Sequence, residues 1–183
     1  THNIQKFRAK QLIDYIYHRY VFDFQEMTQF PKELRQWLSD NCVISLPTLI
    51  TESISPDGKT RKILLEMTDQ SRVEAVLMEQ HYGYSVCVSS QVGCAMGCVF
   101  CASTQGGLYR DLTVAEIIGQ VVIFGALTKE QIHSVVVMGA GEPLQNYDNV
   151  LQALQLLHDP VICNISYRKM TISTCGWVPN IYK

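Results

Sequence analysis

The sequence predicts an α/β fold in which a small helical domain and a β linker precede an open, mainly parallel sheet. Three observations support this prediction: helical spacing of apolar residues near the start, two strand patterns around a polar turn in the middle, and alternating strand and helix patterns from Tyr84 onward. With 183 residues and 47% hydrophobic content, the chain is long enough to bury a core. We therefore expect a helical accessory domain at 1–48, linker strands at 49–82 and the sheet domain at 83–183.

The first two parts are predicted from local patterns. Residues 4–20 place apolar side chains at helical spacing, and Pro31 precedes a second helical pattern with Leu34 and Leu38 on one face. The segment SPDG has turn chemistry, and two strand patterns flank the polar connection TDQS at 68–71. The middle part is therefore expected to form antiparallel strands.

The third part alternates strands and helices. Strand patterns at 84–90, 132–138 and 169–174 are separated by helix patterns at 113–127 and 146–158. At roughly 30 residues per unit, this stretch has room for about three βα units. We expect a partial, truncated (β/α) barrel with an exposed sheet edge, which would pair with another chain or with further sequence.

Composition excludes little beyond a membrane protein. The formal charge of −2 creates no overall field that would attract nucleic acid, so an RNA substrate would have to meet a local basic patch. The most apolar stretch, 117–127, is too short to span a bilayer, and the start of the chain has no signal-peptide pattern. We expect a cytoplasmic protein with no membrane partner. Because the first residue is Thr, we also expect a fragment of a longer chain.

Three cysteines are clustered in a C-x3-C-x2-C pattern on the loop that follows the first strand of the sheet domain. Cys94, Cys98 and Cys101 lie close enough in sequence for their thiolates to converge on one small centre. Electron-carrying 4Fe-4S clusters use four cysteines, so three would leave one iron open to a small molecule. A zinc site is the alternative, but no second pair of ligands follows Cys101. Three ordinary core cysteines are a further alternative.

These residues resemble the signature of the radical S-adenosylmethionine (SAM) enzymes, in which an aromatic residue, here Phe100, precedes the last cysteine. Several segments are similar to the RlmN/Cfr branch in particular and run along nearly the whole chain. They are FRAKQ (7–11), RVEAV (72–76), CVSSQVGC (87–94), LTVAEI (112–117) and MGAGEPL (138–144).

The resemblance implies a fold, cofactors and an activity. Cys94, Cys98 and Cys101 would hold a 4Fe-4S cluster in a radical-SAM partial barrel, with the methionyl end of SAM at the open iron. Members of the branch methylate an adenine of large-subunit ribosomal RNA, RlmN at C2, and in some tRNAs, and Cfr at C8. They use two SAM molecules, a reductant protein and a methyl-carrying cysteine. That cysteine belongs to the family's C-terminal part, so this fragment alone is expected to be inactive.

Two predicted loops are candidates for binding SAM. The segment Gly139–Pro143 fails the test for a dinucleotide fingerprint because a third glycine would fall on Leu144. Glycine would still let a ligand approach the backbone, and Glu142 could accept hydrogen bonds from an ammonium group. The resemblance implies that Gly141 and Glu142 contact the cofactor's amino group and that Ser173 also contacts SAM. The alternatives are a simple strand-to-helix turn capped by Asn146 and a strand hydroxyl bonded to the backbone.

Two further residues receive catalytic roles from the resemblance. Glu74 alternates with apolar residues on a strand that has no obvious solvated face, and desolvation there would raise its pKa. The resemblance implies that Glu74 accepts a proton and that Cys87 closes a disulfide when the substrate crosslink resolves. The alternatives are a solvated edge residue for Glu74 and a buried, inert thiol for Cys87.

Other cysteines and histidines receive no functional role. We expect Cys42, Cys163 and Cys175 to be buried, inert thiols. We expect the histidines to be surface or capping residues, because His81, His133 and His158 lack metal-ligand spacing.

Two other classes of function remain open. One is another radical SAM enzyme that acts on a small molecule or peptide, and the other is a cluster- or zinc-binding module without catalysis. Among adenine positions, C2 is favoured over C8, because the loop FCASTQGGL (100–108) resembles that of the C2 enzymes.

Overall fold

A six-stranded mixed sheet forms the centre of the fold in the computed structural model, which describes residues 5–183. A separate two-stranded hairpin, β5–β6, lies beside it. In chain order the strands are β1 (Thr48–Ile54), β2 (Thr60–Glu66), β3 (Arg72–Gln80), β4 (Gly83–Val88), β5 (Gln91–Gly93), β6 (Leu108–Asp111), β7 (Ile132–Val137) and β8 (Met170–Ile172).

The sheet is antiparallel in its first half and parallel in its second. Its strand order is β1-β2-β3-β4-β7-β8, and β4 pairs antiparallel with β3 and parallel with β7. Strands β7 and β8 are also parallel. The strands expected in the linker therefore continue directly into the sheet of the third part, while the three domain boundaries themselves stay a prediction.

Residues 5–183 contain five α-helices, and the sequence explains where the longest begins. Thr113 accepts a hydrogen bond from the Glu116 main chain, and the Glu116 side chain accepts one from Thr113, a reciprocal cap that starts α3. The helices are α1 (Phe7–Tyr17), α2 (Lys32–Asn41), α3 (Val114–Thr128), α4 (Tyr147–His158) and α5 (Val178–Ile181). Short 3-10 helices lie at Phe24–Glu26, Ala102–Thr104 and Tyr167–Lys169.

Two hydrophobic cores hold these elements together. In the larger core, valines of β4 and β7 pack with apolar residues of α3 and α4, including Ile117, Phe124 and Leu157. The smaller core lies within the N-terminal helical part and centres on Tyr15 and Met27. Alternation along β4 points Val86 and Val88 into the larger core, so Ser85 and Cys87 take the opposite face of the strand.

The structure confirms the α/β fold class and most of the predicted elements. Strand β1 and the β5–β6 hairpin were not predicted. Asn146 occupies the N-cap position of α4, as the alternative interpretation of this loop expected, but its side chain makes no capping hydrogen bond. The side chain instead donates to the carbonyls of Ser90 and Leu112, each at 2.8 Å. None of the helices between residues 5 and 183 is both long and apolar enough to cross a bilayer.

Candidate cluster and cofactor site

The three-cysteine loop is the connection of the β5–β6 hairpin, so a short ladder holds both of its ends. The Cys94 amide donates to the Gly107 carbonyl at 3.0 Å where the loop closes. Gly93 adopts a φ of 76°, and a Cβ there would lie 2.0 Å from the Gly107 carbonyl oxygen. Thr104 stabilises the loop from inside, because its hydroxyl accepts from the Gly97 amide and donates to the Cys94 carbonyl.

The three-cysteine loop leaves two of its three thiols partly accessible. Cys94 is buried, Cys98 and Cys101 are half-buried, and all three are free thiols. Val99 and Phe100 between them are almost fully exposed, at 102% and 91% of their maximal surface. The loop thus places one buried and two half-buried thiols beside an exposed surface.

The donor set fits a 4Fe-4S cluster. Thiolates are the ligands that iron-sulfur clusters take, and a cluster distributes them over separate irons. Between residues 5 and 183, no group of three His, Cys, Asp or Glu side chains is placed so that it could hold a metal ion as it stands. Ligation by Cys94, Cys98 and Cys101 therefore stays a prediction that rests on ligand type and loop position.

The predicted cofactor loop, residues 139–144, follows β7 and lies directly on the residues that follow β4. The Gly139 amide donates to the Val88 carbonyl at 3.0 Å, and the Ala140 carbonyl accepts from the amides of Ser90 and Gln91. Gly141 has a φ of 104°, and a Cβ there would come within 2.6 Å of the Gln91 side chain. Only glycine fits at this position, because the positive φ and the close contact with Gln91 leave no room for a side chain.

Glu142 is the buried acid of this loop, with 2% of its surface exposed. Its carboxylate accepts hydrogen bonds from the Thr174 hydroxyl at 2.6 Å, the Cys175 amide at 2.8 Å and the Leu144 amide at 2.9 Å. Burial by itself would raise the pKa of Glu142, but the hydrogen bonds from Thr174 and Cys175 outweigh it and lower the pKa. The site therefore holds a fixed negative charge at neutral pH.

Ser173 reaches the same place from the far edge of the sheet. Strand β8 ends at Ile172, so Ser173 lies just beyond it, where its amide donates to the Val137 carbonyl at 3.1 Å. The next two residues, Thr174 and Cys175, are the ones that donate to Glu142. Parallel pairing of β7 and β8 thus brings Ser173 and Glu142 together beyond the carboxyl ends of these two strands.

A cavity of about 540 Å³ lies between the open face of the sheet and the three-cysteine loop, and Glu74, Cys87 and Cys101 all line it. Cys87 is half-buried, and burial raises the pKa of its thiol more than a hydrogen bond from the Met138 main chain lowers it. Met138 and, at the start of the cofactor loop, Gly139 also line this cavity.

The expectation that Glu74 is desolvated is wrong. Its side chain is 57% exposed, and its carboxylate forms a salt bridge with Lys62 at 2.9 Å. The residue still lines the cavity, so the structure keeps it near Cys87 as a solvent-accessible carboxylate beside a cation. Its assignment as a proton acceptor stays a prediction.

Cys175 is a residue that sequence reasoning missed. We expected a buried, inert thiol, but Cys175 is exposed and its Sγ lies 3.1 Å from Sδ of Met96 in the three-cysteine loop. A hydrogen bond with the Glu142 carboxylate is the main cause that raises the pKa of Cys175 to about 11. Its position two residues after Ser173 was the signal available in the sequence.

The two remaining cysteines, Cys42 and Cys163, differ in their exposure to solvent. Cys42 is exposed, so the expectation of burial is wrong there too. Cys163 is half-buried, and burial raises the pKa of its thiol to about 12, consistent with an inert group.

Comparison with known families gives two matches along the chain. Residues 1–44 match the N-terminal domain of the ribosomal RNA large subunit methyltransferases, and residues 88–183 match the radical SAM superfamily. The second match covers the three cysteines, the cofactor loop and Ser173.

Individual relatives are similar over almost the whole chain. A protein of Symbiobacterium thermophilum, named a probable dual-specificity RNA methyltransferase RlmN, is 50% identical over 96% of this chain and 48% of its own length. A protein of Clostridium perfringens with the same name is 49% identical over 96% of this chain and 50% of its own. The chain thus spans about half the length of the curated relatives it matches.

A solved structure is similar as well. The crystal structure of a radical SAM methyltransferase from Sphaerobacter thermophilus superimposes with a TM-score of 0.90 at 37% identity. The match covers 97% of this chain and 53% of that one.

Proposed function

Because the chain belongs to the radical SAM superfamily and, within it, to the RlmN/Cfr methyltransferases, we propose that the protein methylates an adenine of large-subunit ribosomal RNA. C2 is the favoured position, and tRNA is a possible second substrate of the same site. The reaction uses a 4Fe-4S cluster, two SAM molecules and a methyl-carrying cysteine in the part of the relatives' length that this chain does not span. Residues 1–183 by themselves are therefore expected not to methylate RNA.

One observation carries this proposal: three features meet beyond the carboxyl ends of the parallel strands. They are the three-cysteine loop, the buried Glu142, and the cavity lined by Glu74 and Cys87. Carboxyl ends of parallel strands collect functional groups in this class of fold. Cys94, Cys98 and Cys101 would hold the cluster, which when bound supplies the one-electron reduction that turns SAM into a source of radical chemistry.

The cofactor-binding residues act mainly by position. Glu142 carries a fixed negative charge that would bind the ammonium group of SAM, and the adjacent Gly141 would contact the same end of the cofactor. Ser173 offers a hydroxyl at the same edge, one residue from Thr174, which holds the Glu142 carboxylate in place. These contacts orient the methionyl end toward the three-cysteine loop.

The substrate side of the site is the cavity. Glu74 would take up the proton that leaves the adenine ring carbon during methyl transfer, and the salt bridge with Lys62 holds the carboxylate in the cavity before that step. Cys87 would form a disulfide with the methyl-carrying cysteine when the covalent link between protein and adenine is resolved. An adenine must leave its stack to enter such a cavity, which RNA loops permit.

Electrons must come from outside the site, so we include a reductant protein among the partners. Because the proposed substrates are ribosomal and transfer RNAs, we also propose a cytoplasmic location. The exposed loop around Val99 and Phe100 leaves a side of the cluster position open to solvent and partners.

Mass spectrometry of nucleosides from ribosomal RNA tests the proposal. A strain that lacks the gene is compared with its parent and with a strain that carries the single change Cys98→Ala, which controls for loss of the polypeptide. We expect both altered strains to lose 2-methyladenosine from ribosomal RNA. Loss of 8-methyladenosine instead would move the activity to C8, and unchanged ribosomal and transfer RNA would contradict an RNA substrate.

A further inference from the structure

One buried side chain, Gln91, connects the two halves of the proposed SAM site. Gln91 begins β5, three residues before Cys94, and its side chain is fully buried. Its Oε1 accepts a hydrogen bond from the Glu142 amide at 2.8 Å, and its Nε2 donates to Oδ1 of Asp111 at 2.7 Å. Asp111 ends β6, the strand on which the chain returns from the three-cysteine loop.

The main chain of Gln91 strengthens the same connection. Its amide donates to the Ala140 carbonyl at 3.1 Å, so backbone and side chain both hold the cofactor loop. The backbone of Gly141 packs against Gln91 so closely that a Cβ at position 141 would lie within 2.8 Å of three Gln91 atoms. Gln91 therefore fixes the cofactor loop through both its main chain and its side chain, in addition to the main-chain hydrogen bonds with Val88 and Ser90.

The oxygen and the nitrogen of the Gln91 side-chain amide have different hydrogen-bonding roles. The end that faces the Glu142 amide must accept, and the end that faces the Asp111 carboxylate must donate, so only one orientation of the amide satisfies both. An apolar side chain at position 91 would leave the main-chain amide of Glu142 without its acceptor and the carboxylate of Asp111 without its donor. A carboxylate at 91 would still accept from the Glu142 amide but would face another carboxylate.

From this arrangement we infer that Gln91 is a positioning residue for SAM: it fixes the Glu142 loop relative to the base of the three-cysteine loop. The inference rests on the proposed function, because Glu142 is the proposed ammonium ligand. Gln91 touches neither the cluster nor SAM in this role, and its effect is transmitted by the two hydrogen bonds.

The test measures SAM binding rather than turnover. Anaerobically reconstituted protein is titrated with SAM by calorimetry, and the electron paramagnetic resonance spectrum of the reduced cluster is recorded with and without SAM. We expect Gln91→Met to bind SAM about tenfold more weakly, the size expected from a lost buried hydrogen bond, at unchanged iron content. The spectral change caused by SAM should shrink or disappear at SAM concentrations that saturate the parent.

Two matched variants separate positioning from general destabilisation. Tyr15→Phe removes a hydroxyl that accepts a hydrogen bond from the Gln29 main-chain amide at 2.9 Å. Like Gln91→Met, it deprives a main-chain N–H of its acceptor, but it does so in the N-terminal helical part. It should lower the melting temperature while the SAM affinity stays that of the parent. The double variant Gln91→Glu/Asp111→Asn reverses the polarity of one hydrogen bond and keeps the other, so it should recover affinity that Gln91→Glu loses.

The outcomes decide the inference even if Gln91→Met does not fold, since the single and double polar variants are nearly isosteric with the parent. Parental affinity in Gln91→Met or Gln91→Glu, or a double variant no better than Gln91→Glu, would overturn it. A weakening by Tyr15→Phe equal to that by Gln91→Met would also overturn it. If the parent itself, with its cluster, binds no SAM, the proposed function fails and this inference with it.

Discussion

The two loops that meet at the candidate site are built in opposite ways. The three-cysteine loop exposes Val99 and Phe100 and is stabilised mainly from within, through Thr104. The cofactor loop after β7 is tied to its surroundings on several sides, and its acid Glu142 is buried. A loop that takes up an inorganic group from solution needs accessible ligands, whereas a loop that recognises an ammonium group must hold its charge in place beforehand.

The largest effect should follow from a change in the open loop. Cys98→Ala removes one of the three proposed thiolate ligands, so the reconstituted protein should lose its cluster, about four irons per chain, and its charge-transfer absorption. Iron and sulfide analysis after anaerobic reconstitution measures this. Cys42→Ala, which removes an exposed thiol outside the loop, is the control and should keep the iron. A Cys98→Ala protein with a complete cluster would contradict the ligand assignment.

A change in the buried loop should spare the cluster and weaken SAM. Glu142→Ala removes the proposed charge-assisted hydrogen bond to the ammonium group of SAM, so we expect a loss of roughly 1.5–3 kcal/mol in binding. Calorimetry on reconstituted protein measures the affinity, and iron content should equal that of the parent. Glu142→Gln keeps the shape and separates loss of charge from loss of volume. Equal affinity for parent and Glu142→Ala would remove Glu142 from the site.

The buried loop should also respond to acid through Glu142. Because the pKa of Glu142 is lower in the folded protein than its ordinary value of 4.5, the ionised carboxylate stabilises the fold above that pH. This stabilisation is lost as the pH falls below 4.5 and through the lowered pKa. Urea unfolding between pH 7 and pH 3 should therefore show a steeper loss of stability in the parent than in Glu142→Gln. Parallel pH profiles would show that the hydrogen bonds around Glu142 do not depend on its charge.

The smallest effect should come from the exposed side chain of the open loop. Phe100→Ala should change the unfolding free energy of the cluster-free protein by less than about 0.5 kcal/mol, since the ring packs against little. Leu144→Ala, in the cofactor loop, is buried and should cost roughly 2–5 kcal/mol. Thermal or urea unfolding measures both losses of stability. Equal losses for Phe100→Ala and Leu144→Ala would contradict the difference in packing between the two loops.

Local features of the sequence were sufficient for the elements that local rules control. The start of α3 follows from the reciprocal cap of Thr113 and Glu116, and the three-cysteine spacing predicts the loop, although not the hairpin that carries it. Strand β1 lies at the edge of the sheet with most of its side chains exposed, so it lacks the apolar alternation that reveals a strand.

The rest of the site depends on contacts that spacing cannot reveal. Gln91 meets Glu142 and Cys175 meets Met96 only because β4, β7 and β8 lie side by side. Glu74 shows the converse error: alternation identified its strand correctly, but exposure depends on what covers that face of the sheet. Its carboxylate is partly exposed and paired with Lys62.

The position of β4, between an antiparallel and a parallel neighbour, has a consequence for how the chain folds. Strands β1 to β4 follow one another through short turns, so their ladder closes small loops, whereas β7 reaches β4 only after the hairpin and α3 have been crossed. Local pairings form faster than those that close long loops. We expect the antiparallel ladder to form early, even while the chain is being synthesised, and its last strand to act as the template on which the parallel strands, and with them the two loops, are added.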